Sequence, residues 1–240
     1  MPESALVALP PPPDRSRQVD DPLEAAGFGN EVLAAAERLI GPPQRATAAQ
    51  RLVDEMANIQ LALQATDVAA LRRSAGLIGR LLGRDVEAQE RAEQLAEQLD
   101  ICLLRADAEL RGLQRDMVAQ QRQAARVDVA VTAIEQWADA GEAMPAPTQE
   151  AVQLTLQRRL QHLRGVARLR QIEADQLHLL HAQGLELSER YQRIRDVLLP
   201  VWRQQALAVR AAQMPARLQQ AADSQARILD EVAAMQARLR

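Results

Sequence analysis

The chain has 240 residues, 48% hydrophobic and 25% charged, with a formal net charge of −3. That length allows one or two domains, and the near-neutral balance disfavours a nucleic-acid protein. Only 2% of residues are aromatic, so a core must be built from small aliphatic side chains. Abundant Ala, Leu, Gln, Glu and Arg make this a helix-former composition with little expectation of strand.

Every one of the 29 basic residues is Arg. The planar guanidinium fork suits bidentate oxyanion contacts and keeps its proton at any ordinary pH. Cys102 is the single cysteine, which rules out a disulfide framework or a thiolate metal cage within one chain. It lies beside a heptad seam and is expected to be a buried, inert thiol. Ala5 to Leu9 is too short an apolar run for a signal peptide, and no window of the sequence is apolar enough to span a membrane. The expected compartment is the cytoplasm.

In chain order, residues 1–28 read as a disordered tail, with a polyproline segment at Pro10–Pro13 followed by Asp14, Asp20, Asp21 and Glu24. Asn30 is the expected N-cap of a short helix through Ile40, which Gly41-Pro42-Pro43 stops. A second helix is expected from Ala46 to Thr66, with Leu52, Met56, Ile59 and Leu63 on one face. Asp67 would cap a third, from Val68 to Leu82. These short helices, spanning 29–84, cannot hide their apolar faces alone and are expected to pack at one end of a longer bundle formed by 85–240.

The stretch from Ala92 to Ala138 carries two series of apolar residues, each stepping by seven. One runs Ala96, Leu103, Leu110, Met117, Ala124, Val131, Ala138; the other runs Ala92, Leu99, Ala106, Leu113, Gln120, Val127, Ile134. Only Gln120 interrupts them. The pattern predicts one long helix with a sticky seam, starting near Asp85, ending at Gly141 and covered by partner helices. The loop 141–148 contains Pro145 and Pro147, and Thr148 is the expected cap of a second long helix. Val152, Leu156, Leu160, Leu163, Ala167, Ala174 and Leu177 give that helix its core face; Leu169, Ile172, Leu179 and Leu180 widen it. Gly184 could cap a helix that ends there or sit inside one that continues to Leu198; continuation is favoured because it matches the length of the first rod, and Pro200 marks a kink or a restart. The expected fold is all-α: an elongated antiparallel long-helix bundle, coiled-coil-like, with the short helices at one end.

The strongest candidate site is a basic run, Arg158, Arg159, Arg164, Arg168 and Arg170, with His162 among them and no acid between Glu150 and Glu173. A simple hairpin about the 141–148 loop sets residue 158 near 131 and 170 near 119. The facing segment then adds Arg122 and Arg126 against one acid, Asp128. Uncancelled Arg on two helices suits an oxyanion, a phosphate headgroup or an acidic partner; a solvated charged face, or one paired with the acidic tail, is the plainer reading. Asp175, His178 and His181 step by three along one helix, a row that rotates too slowly to converge on a metal. Trp202 reads as end-of-bundle packing or as a partner anchor. No Gly-rich phosphate loop, nucleophile turn or zinc-protease pair is present, so no catalytic residue, cofactor or metal is expected.

Several segments resemble the TelA-like toxic anion resistance family. They are Ile78-Gly79-Arg80-Leu81-Leu82-Gly83-Arg84; Gln98-Leu99-Asp100-Ile101; Leu110-Arg111-Gly112-Leu113-Gln114-Arg115-Asp116; Leu156 to Leu180, with Arg158-Arg159-Leu160 and Gln176-Leu177; and Leu199-Pro200-Val201-Trp202-Arg203-Gln204-Gln205. Their order and spacing, across residues 30–213, carry the likeness more than any one of them. The resemblance implies a cytoplasmic, helical, non-enzymatic accessory protein in resistance to tellurite and related stresses. Family members usually continue well beyond the Pro-Trp turn, and this chain ends at Arg240, so that tail's contribution is expected to be missing or reduced. A protein partner, peripheral membrane association through a membrane-associated stress-response complex, and homo-oligomerisation are the partner expectations. Direct reduction of tellurite is disfavoured by the single Cys102.

Overall fold

The computed structural model describes residues 8–43, 46–64, 84–204 and 215–238. All regular structure among them is helical, and the two long helices pack against each other. The helices are α1 (Pro22–Gly27), α2 (Asn30–Ile40), α3 (Ala48–Gln64), α4 (Arg84–Glu142), α5 (Glu150–Arg193) and α6 (Pro215–Arg238). A π turn, Ile194–Leu198, extends α5, and the chain stays helical through 199–204. The expected helix at 68–82, with its Asp67 cap, lies outside the described residues.

The chain divides into two compact units, Met1–Arg45 with Val118–His181, and Ala46–Met117 with Ala182–Arg240. This differs from the linear partition at 84–85: each unit joins short N-terminal helices to part of both rods. The division follows the apolar faces. Val32, Ala36 and Ile40 of α2 share a core with Val127, Val131 and Ile134 of α4. Leu52, Met56, Ile59 and Leu63 of α3 share a different one with Leu99, Ala106 and Leu113. Each of the Val, Leu, Ile and Met side chains among these contributes roughly 1.5–3 kcal/mol by leaving water, and each Ala less.

In the first unit, residues 8–28 are packed rather than the disordered tail expected. Val19 is buried, Leu9 packs on the core, and the Pro10 carbonyl accepts a hydrogen bond from Trp137 Nε1 at 3.1 Å. A proline run brings few backbone donors that need partners, so it can lie along a helix at little cost. Asp21 caps α1 by accepting from the Glu24 N–H at 3.1 Å, with Pro22 at the first helical position. Gly29, not Asn30, precedes α2; its φ is 75°, and a Cβ there would meet Leu163 Cδ1 at 2.8 Å. Ile40 ends α2 where Gly41 turns left-handed (φ 70°), and the Ile40 carbonyl accepts from the buried Gln123 Nε2 at 2.9 Å. The first turn of α5 is closed by Gln149, whose carbonyl accepts from Val152 and Gln153. Thr148, the expected cap, stands instead within 3.5 Å of Gln18 and Asp20.

In the second unit α5 runs straight through Gly184, which is glycine because a Cβ would meet Met117 Cγ at 2.8 Å. Pro200 neither stops nor restarts the rod. It has no N–H for the Asp196 carbonyl and its ring crowds that group. The wider turn just before it, closed by the Leu199 N–H on the Ile194 carbonyl, absorbs the misfit. Tyr191 is fully buried and donates to Asp107 Oδ1 at 2.6 Å, with Arg195 Nε 3.2 Å from the same carboxylate. Helix α6 starts with Pro215 and buries Ile228, Val232 and Met235. Its Glu231 takes Arg190 at 2.7 Å and Arg193 at 2.9 Å from α5, and its Gln225 donates to the Leu63 carbonyl of α3 at 2.7 Å.

Candidate functional site

The arginine run sits on α5 in the first unit, and the register of the rods decides what it can do. Arg164 meets Asp139 at 3.5 Å and also pairs with Glu142, while His178 stands 3.3 Å from Asp128. The simple hairpin would have set 158 near 131 and 170 near 119. The offset arises because the first turns of α5 do not lie on the end of α4. Val152 and Leu156 belong to the same core as Val19, Ala25 and Phe28, and α5 meets α4 from about Leu160, beside Gly141.

This register overturns the premise that the neighbouring helix leaves the run uncancelled. Glu142 holds Arg164 protonated more firmly than usual by accepting its hydrogen bond, and the same bond keeps Glu142 below the ordinary carboxylate range. Arg159 donates from Nε to the Phe28 carbonyl at 2.7 Å and from Nη2 to Asn30 Oδ1. Burial lowers its pKa, and its work is to tie α5 to the α1–α2 corner. Arg170 pairs with Glu173 at 2.7 Å, one turn along the same helix. Arg158 and Arg168 are exposed, and no bond of either is seen among the described residues.

Arg122 and Arg126 do not complete a belt. Both are exposed on α4, but Asp128, Asp139 and Glu142 mark the side of α4 that α5 meets. At 3.6 residues per turn, Arg122 is about 120° and Arg126 about 160° around the helix from Asp128. Seven arginines that sequence placed together are therefore split among tethers, ion pairs and two separate faces. Trp202 belongs to the other unit, buried in its core among Tyr191, Ile194 and Leu199, and offers no ring to a partner. Along α5, Asp175 accepts from Gln171 at 3.1 Å and His178 is taken by Asp128. Among the described residues no group of His, Cys, Asp and Glu gathers to hold a metal.

What the site offers instead is apolar. Leu169, Ile172 and Leu179 are 66%, 52% and 59% exposed, and Leu180 lies open beside them; Leu154 is open roughly 20 Å further towards the start of α5. Gly165, Ile172 and Leu179 step by seven on the side of α5 opposite Leu163, Ala167 and Ala174. A Cβ at Gly165 would touch nothing within 4 Å. Arg168 flanks this stripe, and Arg158 stands in line with it, one heptad before Gly165. Sequence counted these aliphatics as a broadened core face; the spacing of seven was the signal that they form a seam of their own. Comparison with protein-family models, with curated proteins and with solved structures finds no match.

Proposed function

We propose that this chain is a non-enzymatic helical accessory protein that acts by binding, through the outward stripe of α5, in cytoplasmic resistance to toxic oxyanions such as tellurite. The carrying observation is the stripe itself. A solvated helix face in a chain this rich in Arg, Gln and Glu has no need of three large aliphatics more than half exposed, and such patches mark interaction surfaces. An amphipathic helix that presents a second apolar seam reads as one half of a helix–helix contact. The resistance role rests on the order of the TelA-like segments, including Leu199-Pro200-Val201-Trp202.

Scaffolding of a membrane-associated complex has less to stand on. It would have to engage the complex through Trp202 and the acidic N-terminal segment, and Trp202 is buried while Asp21 caps α1 and Glu24 pairs with Arg17. No helix among the described residues is long and apolar enough to cross a membrane.

The test is genetic. Cells that normally carry the chain should lose tellurite tolerance without it and regain it with the native chain. An Ile172→Glu, Leu179→Glu variant that is expressed and folded should not restore it. Unchanged tolerance in cells lacking the chain overturns the proposal.

A further inference from the structure

Resting on the reading of α5's outward stripe as a binding surface, we infer that its occupant is the same stripe of a second copy of this chain, lying antiparallel across a two-fold axis near Ile172. In such a contact every residue faces one an equal distance beyond the axis. Ile172 then meets Ile172 of the other copy. Gly165, an open notch where a Cβ would touch nothing within 4 Å, receives Leu179, which is 59% exposed. Arg168, exposed and with no bond seen among the described residues, lies four residues before the axis, and Asp175, which commits one carboxylate oxygen to Gln171, lies three after it on the same flank. The two therefore pass within one helical rise, about 1.5 Å, of direct register, within reach of an Arg side chain.

A parallel arrangement fails the charge condition, because it stacks Arg168 on Arg168 and Asp175 on Asp175. An anionic lipid surface fits less well too, because Asp175 flanks the middle of the stripe and would be pressed against like charge. From Gly165 to Leu180 the stripe is roughly 20 Å long and about one helix wide. Such an area is below or at the low end of specific interfaces, so the dimer should be weak, with dissociation in the micromolar range or above.

The experiment is sedimentation velocity of the full chain from about 1 to 100 µM, the range that spans weak association. A concentration-dependent monomer–dimer equilibrium is expected, and Ile172→Glu should weaken it tenfold or more while circular dichroism stays unchanged. Arg168→Asp alone and Asp175→Arg alone should each weaken the dimer, and the two together should restore it. That rescue is the outcome a parallel or unrelated contact cannot give.

A monomer throughout the range, a dimer indifferent to these changes, or singles that weaken without rescue would overturn the inference. So would a native chain that stays monomeric yet binds vesicles of anionic lipid. The two levels fail separately. A monomeric chain whose Ile172→Glu, Leu179→Glu variant still loses tellurite tolerance refutes the dimer and keeps the binding function. A rescued dimer in cells whose tolerance does not depend on the chain keeps the dimer and refutes the function.

Discussion

One substitution made at two glycines should move stability in opposite directions. Gly141 lies in the last turn of α4, and a Cβ there would stand 2.5 Å from Leu160 Cδ2 and 2.9 and 3.0 Å from the Phe28 ring. That ring also packs edge-on against Trp137, with centroids 5.7 Å apart. Ala at 141 gains up to about 1 kcal/mol of helix propensity but forces Leu160 and Phe28 apart, an overpacking cost of about 1–3 kcal/mol. Gly141→Ala should therefore destabilise by roughly 0.5–2 kcal/mol. Gly165 is also inside a helix, with open space around it, so Gly165→Ala should stabilise by about 0.5–1 kcal/mol. Urea unfolding followed by far-ultraviolet circular dichroism, at concentrations where the chain is monomeric, reads both. If Gly141→Ala stabilises as much as Gly165→Ala, the α1–α2 corner does not close over the end of α4 and the packing of the first unit is wrong.

Three further outcomes follow from single groups. Burial first, and then the Asp107 hydrogen bond, raise the pKa of Tyr191 above its ordinary 10.0. In a Cys102→Ala background, which removes the thiol's own alkaline slope, stability should hold below pH 10, where both states keep the Tyr191 proton, and fall above it by up to about 1.4 kcal/mol per pH unit; Tyr191→Phe should remove that slope. Burial raises the Cys102 thiol, Glu55 adds to this and Arg105 opposes it. A thiol reagent at mildly alkaline pH should react slowly with the native chain and at once with the urea-unfolded chain. Gln123→Ala strands the Ile40 carbonyl and should cost about 1–2 kcal/mol in urea unfolding, whereas alanine at exposed Gln121 should cost little.

The helices were legible because their signals are local. The heptad residues Leu99, Ala106, Leu113, Val127 and Ile134 are buried as their spacing required, and Gly41 ends α2 with its left-handed turn. At Gly184 sequence favoured continuation over a cap without deciding it, because the reason for the glycine, the Met117 side chain, is a contact between helices. Register was not legible, because a loop's length does not say where its helices first touch. The early turns of α5 go to Phe28 and Val19 rather than to α4, so the facing residues shift and Asp139 and Glu142 arrive beside Arg164. The tail misled for a related reason. Its ordering depends on a distant indole, that of Trp137, taking the Pro10 carbonyl, and composition alone cannot foresee that partner. The arginine run illustrates the limit: charge is written in sequence, but whether a charge is spent depends on what faces it.

The register of α4 against α5 carries the rest of the account, and paired cysteines read it directly. In a Cys102→Ala chain, Asp128→Cys with His178→Cys replaces two half-exposed side chains whose polar atoms stand 3.3 Å apart. A short bis-maleimide should join them within one chain at high yield, and the linked peptides should be found after proteolysis. The pair Asp128→Cys with Gln161→Cys, which faces across the simple hairpin, should give little product. Efficient linkage of 128 to 161 with none to 178 would contradict the structure and return the arginines to an uncancelled belt.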